Sequence, residues 1–357
     1  DLVRSRGLGD VYKRQLPIGV FDSGTGGLTV LEALLTLDAY NNETGKPGSD
    51  GKLDFSNEYF QYLADQANMP YGNYAAANKT DLLKEHIQKN MQFFLKEAPT
   101  KPPVKMIVLA CNTATAYALS DIKNEFKQQS ISVPVIGVID AGSKAALAYQ
   151  QKNGEGTIGV FATAGTVASN GYPRTLQAMA KEKGMQALSV ISQGGFGLAE
   201  SIDRDWSYYV DTLTKARNEY KGPSLKNSMY TIDTSLLSAY RFDVSSNKLL
   251  CEYDDKGSCL DMQLNDPSNY VRYHLVSLLE KMIVGKITKP MNTLILGCTH
   301  YPYLKDTIAS VLNELYHYKN NNEYRYRRYL VEKVELIDPS IETCLLYTSP
   351  SPRDRTR

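Results

Sequence analysis

The chain has 357 residues, with 40 Lys and Arg against 39 Asp and Glu, 42% hydrophobic residues and 22% charged ones. This is ordinary globular composition with room for two domains, and no run of 18 apolar residues predicts a membrane span. The balanced charge gives no nucleic-acid footprint.

Residues 5–15 read SRGLGDVYKRQ and residues 344–354 read CLLYTSPSPRD. One DNA stretch can encode the second while its reverse complement, in a shifted frame, encodes the first, as a sequencing adapter translated at both ends of a fragment would. Residues 1–15 and 344–357 are therefore set aside as adapter-derived flanks and are expected to make few contacts with the rest. They carry 7 of the 40 Lys and Arg and 3 of the 39 Asp and Glu, leaving residues 16–343 at a formal net charge of −3. Cys111, Cys251, Cys259 and Cys298 remain. They are too few for a disulfide framework in a chain this long, so a reducing compartment is expected.

Apolar runs read as strands at 17–21, 59–64, 105–110, 133–139, 156–162, 187–192, 292–297 and 334–338. Between them, 28–35, 81–95 and 271–284 carry the 3.6-residue period of helices. This alternation predicts parallel sheets with crossover helices, whose ligand sites gather beyond the carboxyl ends of the strands. Residues 38–58, rich in Asn, Gly, Asp and Lys, read as an irregular surface loop. Residues 203–267 interrupt the rhythm for longer. Trp206, Tyr208, Tyr209, Tyr230 and Tyr240 are too many aromatics for a solvated linker, so a folded insertion is expected.

Two segments share a plan. KMIVLACNTATAYAL (105–119) and NTLILGCTHYPYL (292–304) each run from a buried strand through a small residue to a cysteine, then polar side chains and a helix. A thiol at a helix start is expected to have a lowered pKa. A lone cysteine is more often a packed apolar residue, but a two-base proton transfer needs two such thiols, and Cys111 and Cys298 supply them. FDSGTGGLTV (21–30) lacks the spacing of a phosphate loop or a nucleophile elbow. It reads as a tight strand–helix turn that exposes Asp22 and Ser23, or as a plain helix cap. Cys298 and His300 lack metal-site spacing, so no metal is expected. His86, His274 and His317 read as surface or boundary residues, and Cys251 and Cys259 as incidental.

FDSGTGG (21–27), ADQANMPYG (64–72), ACNTATA (110–116), ATAGTVAS (162–169) and LGCTHYP (296–302) stand in the order found in glutamate racemases. The chain resembles that branch of the aspartate/glutamate racemase superfamily over most of its length. The resemblance implies an α/β fold of two pseudo-symmetric domains with mostly parallel sheets and the active site in the cleft between them. Residues 16–132 plus 310–343 would form the first domain, and 133–309 the second, with the insertion 203–267. It implies racemisation of L- and D-glutamate without a cofactor, supplying D-glutamate for peptidoglycan in the cytoplasm. Cys111 and Cys298 would face opposite sides of the α-carbon, assisted by Asp22 and His300, with Asp65 and Glu200 as further acids. Ser23, Pro70, Tyr71, Gly72, Asn112, Thr113, Thr163, Thr166 and Thr299 would hold the charged groups of glutamate, together with Asp22 and His300. No lysine in these motifs suits a pyridoxal Schiff base. No nucleic-acid or membrane partner is implied, and a homodimer stays open.

Two other readings remain at this point: a superfamily enzyme acting on aspartate or maleate, and a non-catalytic binding protein that retains the fold. His300, where aspartate racemases typically carry Glu, and the PYG triplet favour glutamate; two intact cysteine contexts argue against a mere binder. Family members continue past the end of VELIDPSIET (334–343) into a final helix, so this chain is expected to be less stable than an intact member. The insertion is absent from compact members.

Overall fold

Two parallel four-stranded sheets carry the architecture of the computed structural model, which describes residues 16–185 and 187–348. The flank 1–15 and residues 349–357 lie outside the described part. The described residues divide into two compact units. The first takes residues up to Ala145, Ala168–Met179 and those from Asp338 onward; the second takes Ala146–Val167 and Ala180–Ile337. These bounds differ from the expected ones: residues 310–337 belong to the second unit, where the strand Leu330–Ile337 pairs inside its sheet, and residues 133–145 and 168–179 belong to the first.

In chain order the first unit begins with β1 (Ile18–Asp22), α1 (Leu28–Thr36), β2 (Phe60–Ala64), α2 (Thr80–Leu95), β3 (Met106–Leu109), α3 (Asn112–Gln128) and β4 (Val135–Gly137). Helix α4 (Val138–Asn153) carries the chain across the boundary, followed by β5 (Thr157–Ala162), α5 (Ala164–Ala168) and α6 (Gly171–Glu182). Then come β6 (Ser189–Gly194), α7 (Leu198–Ile202), α8 (Leu237–Tyr240), β7 (Leu249–Tyr253), β8 (Cys259–Leu264) and α9 (Pro267–Val284). The last elements are β9 (Met291–Gly297), α10 (Lys305–His317), β10 (Lys319–Asn320), β11 (Glu323–Tyr324), β12 (Leu330–Ile337) and α11 (Pro339–Thr348).

The sheet of the first unit has the order β2-β1-β3-β4 and that of the second β12-β9-β5-β6, with parallel pairing throughout both. Read from the second strand of each unit to the fourth, these are the same order. β1, β3, β5 and β9 are buried at every position. That is why they read as continuous apolar runs: helices cover both faces of the sheet. In each sheet the chain reverses direction at the middle pair, β1/β3 in one and β5/β9 in the other. The carboxyl ends of such a pair form the crevice where α/β sheets bind ligands.

All eight expected strands are present. The run 133–139 stops being a strand at Gly137, and Val138 already starts a helix. An apolar run by itself cannot distinguish a buried strand from the first turn of a buried helix.

The tail does not behave as expected. Cys344 is completely buried against Ile18, Val20, Val30, Leu34 and Val108, and its Sγ donates to the Ser340 carbonyl at 3.2 Å. Helix α11, started by Pro339, continues into the adapter-like residues, and a nearby core takes in Cys344. A chain ended at Thr343 is expected to lose about 1–2 kcal/mol, a fall in Tm of roughly 2–8 °C. An unmoved thermal transition would show that this last turn contributes nothing.

The insertion is ordered. β7 and β8 form an antiparallel hairpin, and Cys251 and Cys259 are joined by a disulfide with Cα atoms 5.7 Å apart, a separation disulfides favour. The two cysteines are therefore paired rather than incidental, and the inference of a reducing compartment from cysteine number does not extend to them. Tyr208 and Tyr240 are buried in the core of the second unit beside Tyr270, Val271 and Leu275. Tyr230 stacks on Phe196 at 4.2 Å. Trp206, another aromatic of the insertion, stays 60% exposed. His274, read as a surface or boundary residue, is fully buried on α9, where burial drives its pKa down to about 3. Its Nε2 meets the Phe196 carbonyl at 3.0 Å and its Nδ1 the Gln193 amide at 3.3 Å, so it fastens α9 to the segment leading into α7. No described helix is long and apolar enough to cross a membrane.

Candidate active site

In the first unit the site residues follow β1, β2 and β3. Asp22 ends β1, and its Oδ2 accepts the N–H groups of Gly24 and Gly27, each at 3.0 Å. This wraps the DSGTGG turn around the carboxylate. The turn needs glycine at 27, where a Cβ would lie 2.4 Å from Asp22 Cβ. The sequence suggested an exposed Asp22; the wrapping turn leaves it 1% exposed. Cys111 follows β3 and is the N-cap of α3, its sulfur accepting the Ala114 N–H at 3.4 Å. The thiol points to Ser23 Oγ at 3.6 Å.

The helix start was expected to lower the pKa of this thiol. Instead burial, and then the negative charge of Asp22, push it up to about 12, outweighing the Ala114 and Ser23 hydrogen bonds. Withdrawal from water disfavours thiolate more than one N–H dipole favours it. Cys111 is thus held as a neutral thiol beside a carboxylate, the arrangement of a proton donor.

Asp65 follows β2 and is tied into a network rather than aimed freely at the thiol. Its Oδ2 accepts Tyr71 Oη at 2.5 Å and Asn90 Nδ2 at 3.0 Å, and its Oδ1 accepts Asn68 Nδ2 at 2.8 Å. Tyr71 is buried, its hydroxyl raised well above the usual phenol range by burial, then by the Asp65 bond and charge, with the Cys111 charge adding to them. The Met69–Pro70 bond is cis, and Pro70, Tyr71 and Gly72 form the turn that sets this ring. Asn112 and Thr113 open α3, both buried. The Asn112 Oδ1 accepts the Tyr172 hydroxyl at 2.7 Å, a partner no motif pointed to.

In the second unit Cys298 and Thr299 follow β9, both nearly buried. His300 Nδ1 lies 3.6 Å from Cys298 Sγ, and its Nε2 lies 2.9 Å from Asp203 Oδ2. Burial works against the charged imidazole, but the Asp203 and Cys298 hydrogen bonds and charges outweigh it and raise its pKa to about 11. At neutral pH His300 is therefore an imidazolium, a cationic partner 3.6 Å from the Cys298 sulfur. Glu200 lies on the short helix α7, where burial raises its carboxyl toward the neutral form, partly opposed by the charge of His300. Thr163 follows β5, and its Oγ1 accepts the Thr166 N–H at 3.2 Å and bonds the Thr166 hydroxyl at 3.0 Å.

Strand register explains these groupings. Ala162 pairs with Gly297, so Thr163 and Cys298 emerge side by side. Phe21 pairs with Leu109, which sets Asp22 close to Cys111. Asp203 has no motif signal: it is the first residue of the insertion, three positions beyond Glu200. Among the described residues no group of three or more His, Cys, Asp or Glu is arranged to hold a metal ion.

No family model matches the chain. It is 31% identical over 327 residues to a glutamate racemase of Levilactobacillus brevis, covering 92% of this chain and 75% of that protein. It is 30% identical over 285 residues to a glutamate racemase of Aquifex aeolicus, covering 76% of this chain and 98% of that one. Among solved structures, a Bacillus anthracis glutamate racemase superposes with a TM-score of 0.54 at 23% identity, over 94% of this chain and 81% of that one. One from Campylobacter jejuni gives 0.51 at 20% identity, over 94% and 86%. These two likenesses speak to the α/β fold.

Proposed function

The chain belongs to the glutamate racemase family of isomerases, and from that premise we propose that it interconverts L- and D-glutamate without a cofactor, passing protons at the α-carbon through Cys298 and Cys111. The observation that carries this reading is the opposite electrostatics of the two cysteine sites. Cys298 has an imidazolium 3.6 Å away, while Cys111 is buried beside the carboxylate of Asp22. A two-base racemase needs one sulfur charged and the other protonated at the start of each turnover.

In the proposed step Cys298, acting as the base, removes the α-proton of L-glutamate. The electron pair of the C–H bond stays on the α-carbon, and the Cys111 thiol delivers its own proton to the opposite face. The product is D-glutamate, with the proton now on Cys298 and the charge on Cys111. D-glutamate is turned over from that exchanged state. A thiolate by itself is far too weak a base for this proton: general-base catalysis supplies about 10²–10⁴-fold. The remainder must come from fixed dipoles around the developing carbanion. The N–H groups and hydroxyls of Ser23, Asn112, Thr113, Thr163, Thr166 and Thr299, with the Tyr71–Gly72 turn, are the groups assigned to hold the substrate's carboxylates and ammonium. The D-glutamate formed would serve the cell wall.

The experiment is an assay with L- and D-glutamate, aspartate and maleate in turn. Racemisation of glutamate with little or no turnover of the others is expected. Turnover of aspartate or maleate in preference to glutamate would move the chain to another branch, and no turnover of any would leave a binding protein. A second result is expected from Gly27→Ala: the added methyl displaces the Asp22 carboxylate, so kcat/KM should fall at least about tenfold, or about 1.4 kcal/mol of transition-state stabilisation. A variant with wild-type kinetics would show that the position of Asp22 does not matter.

A further inference from the structure

We propose that Asp203 is the positioning carboxylate of His300, so that the first residue of the insertion sets the orientation and charge of the group beside Cys298. The inference rests on the two-thiol reading above and concerns how its second thiol is prepared.

Cys298 Sγ, the His300 ring and Asp203 Oδ2 form a continuous chain, with steps of 3.6 Å and 2.9 Å. Both ring nitrogens are thereby engaged. A carboxylate that accepts Nε2–H fixes the rotation of the ring and keeps Nδ1 facing the sulfur, the role such a group plays wherever an imidazole must hold one orientation. Exposure is divided suitably. The imidazole side chain is 8% exposed and the Asp203 side chain 28%. The carboxylate keeps part of its hydration while the buried ring gains a partner, so the pair avoids most of the desolvation cost of a fully buried ion pair.

The local backbone holds the carboxylate in place. Asp203 caps α7, its N–H bonding to the Ala199 carbonyl. Arg204 then adopts a left-handed conformation, φ 57°, which turns the chain sharply. The Asp205 N–H returns to the Glu200 carbonyl at 2.9 Å, and Tyr208 anchors the next turn in the core. Glu200, the further acid that the family resemblance implied, sits on the same short helix. With Nδ1 and Nε2 taken by Cys298 and Asp203, Glu200 acts on His300 through space. The titratable groups around the ring are thus Cys298, Asp203, Glu200 and, through Glu200, Asp205.

The test uses the full chain and compares Asp203→Asn, Asp203→Glu and Glu200→Gln. The His300 titration is followed by NMR of the ring nitrogens, and kcat and KM for glutamate are measured across pH. For D203N the His300 titration is expected to move down by at least about one pH unit. Its kcat should fall roughly 10- to 100-fold, the size found when a functional histidine loses its carboxylate partner, with KM little changed. D203E should recover most of the rate, and E200Q should move the titration clearly less than D203N does. An unchanged titration and rate in D203N, or a shift in E200Q as large as that in D203N, overturns the proposal. If D203N fails to fold, wild-type protein decides: a strongly downfield Nε2 proton, as in a carboxylate-bound imidazolium, is expected at neutral pH, and its absence overturns the proposal. A wild-type chain that does not racemise glutamate sinks the functional reading instead, which separates the two failures.

Discussion

Cys298→Ala and Cys111→Ala are each expected to reduce racemisation by at least about 10²–10⁴-fold, since each removes one acid/base partner from a two-sided reaction. L- and D-glutamate have equal free energy, so kcat/KM must fall by the same factor in both directions, and steady-state rates alone cannot reveal which thiol serves which face. Exchange in D2O can. The Cys111→Ala variant retains Cys298 and its His300 partner, and should wash deuterium into the α-position of L-glutamate without inverting it, while leaving D-glutamate untouched. Cys298→Ala should show the mirror pattern. Cys111 is buried beside Phe21 and Tyr71, and alanine fits there with a small loss of volume, so lost activity in a variant that melts normally reports chemistry. Wild-type turnover in either variant, or α-exchange of both enantiomers by one of them, would sink the two-thiol assignment.

Deleting residues 204–266 and bridging the ends with a short Gly/Ser linker is expected to unfold the second unit. The insertion contributes Tyr208, Ile232, Tyr240 and Leu264 to the same apolar cluster as Tyr270, Val271, Leu275 and Leu278 of α9. At about 1.5–3 kcal/mol for each large side chain, their loss amounts to roughly 6–12 kcal/mol, comparable to the entire stability of an ordinary domain. It would also bare the α9 face they cover. Near-UV circular dichroism and thermal melting would check this, and a deletion product that melts cooperatively near the full chain would refute it. Such a product would retain Asp203, and unchanged kcat and KM in it would also remove any role for the body of the insertion as a lid over the substrate.

Some of this molecule was legible at the level of one residue and its neighbours. Apolar runs of five to seven residues separated by helical periods declared the parallel sheets, because a strand buried on both faces has no alternation to hide. The repeated small-residue–Cys–Thr or Cys–Asn context marked Cys111 and Cys298, because both lie at the same kind of position, the carboxyl end of the third strand of a unit. The DSGTGG glycines marked a tight turn, and the structure adds which atom the turn encloses.

Charge state was not legible. The helix start above Cys111 argued for a lowered pKa, and burial beside Asp22 reversed it. Desolvation is a property of everything packed around a group, and no window of sequence contains it. His274 was misread for the same reason: helical periodicity placed it on α9 but could not say that Phe161 and Tyr273 would pack against its ring. Cys251 and Cys259 became partners only once the hairpin folded back on itself.

By itself the sequence determined the order of strands and helices, the family, and which two sulfurs stand at strand ends, since these depend on periodicity and local motif. Tertiary structure alone decided that Cys344 belongs to the core, that the insertion shares the apolar cluster of α9, and that Asp203 rather than Glu200 holds His300. Each of these is a contact between segments distant in the chain or outside any motif, set by burial and by the competition for hydrogen-bond partners once the two sheets have formed.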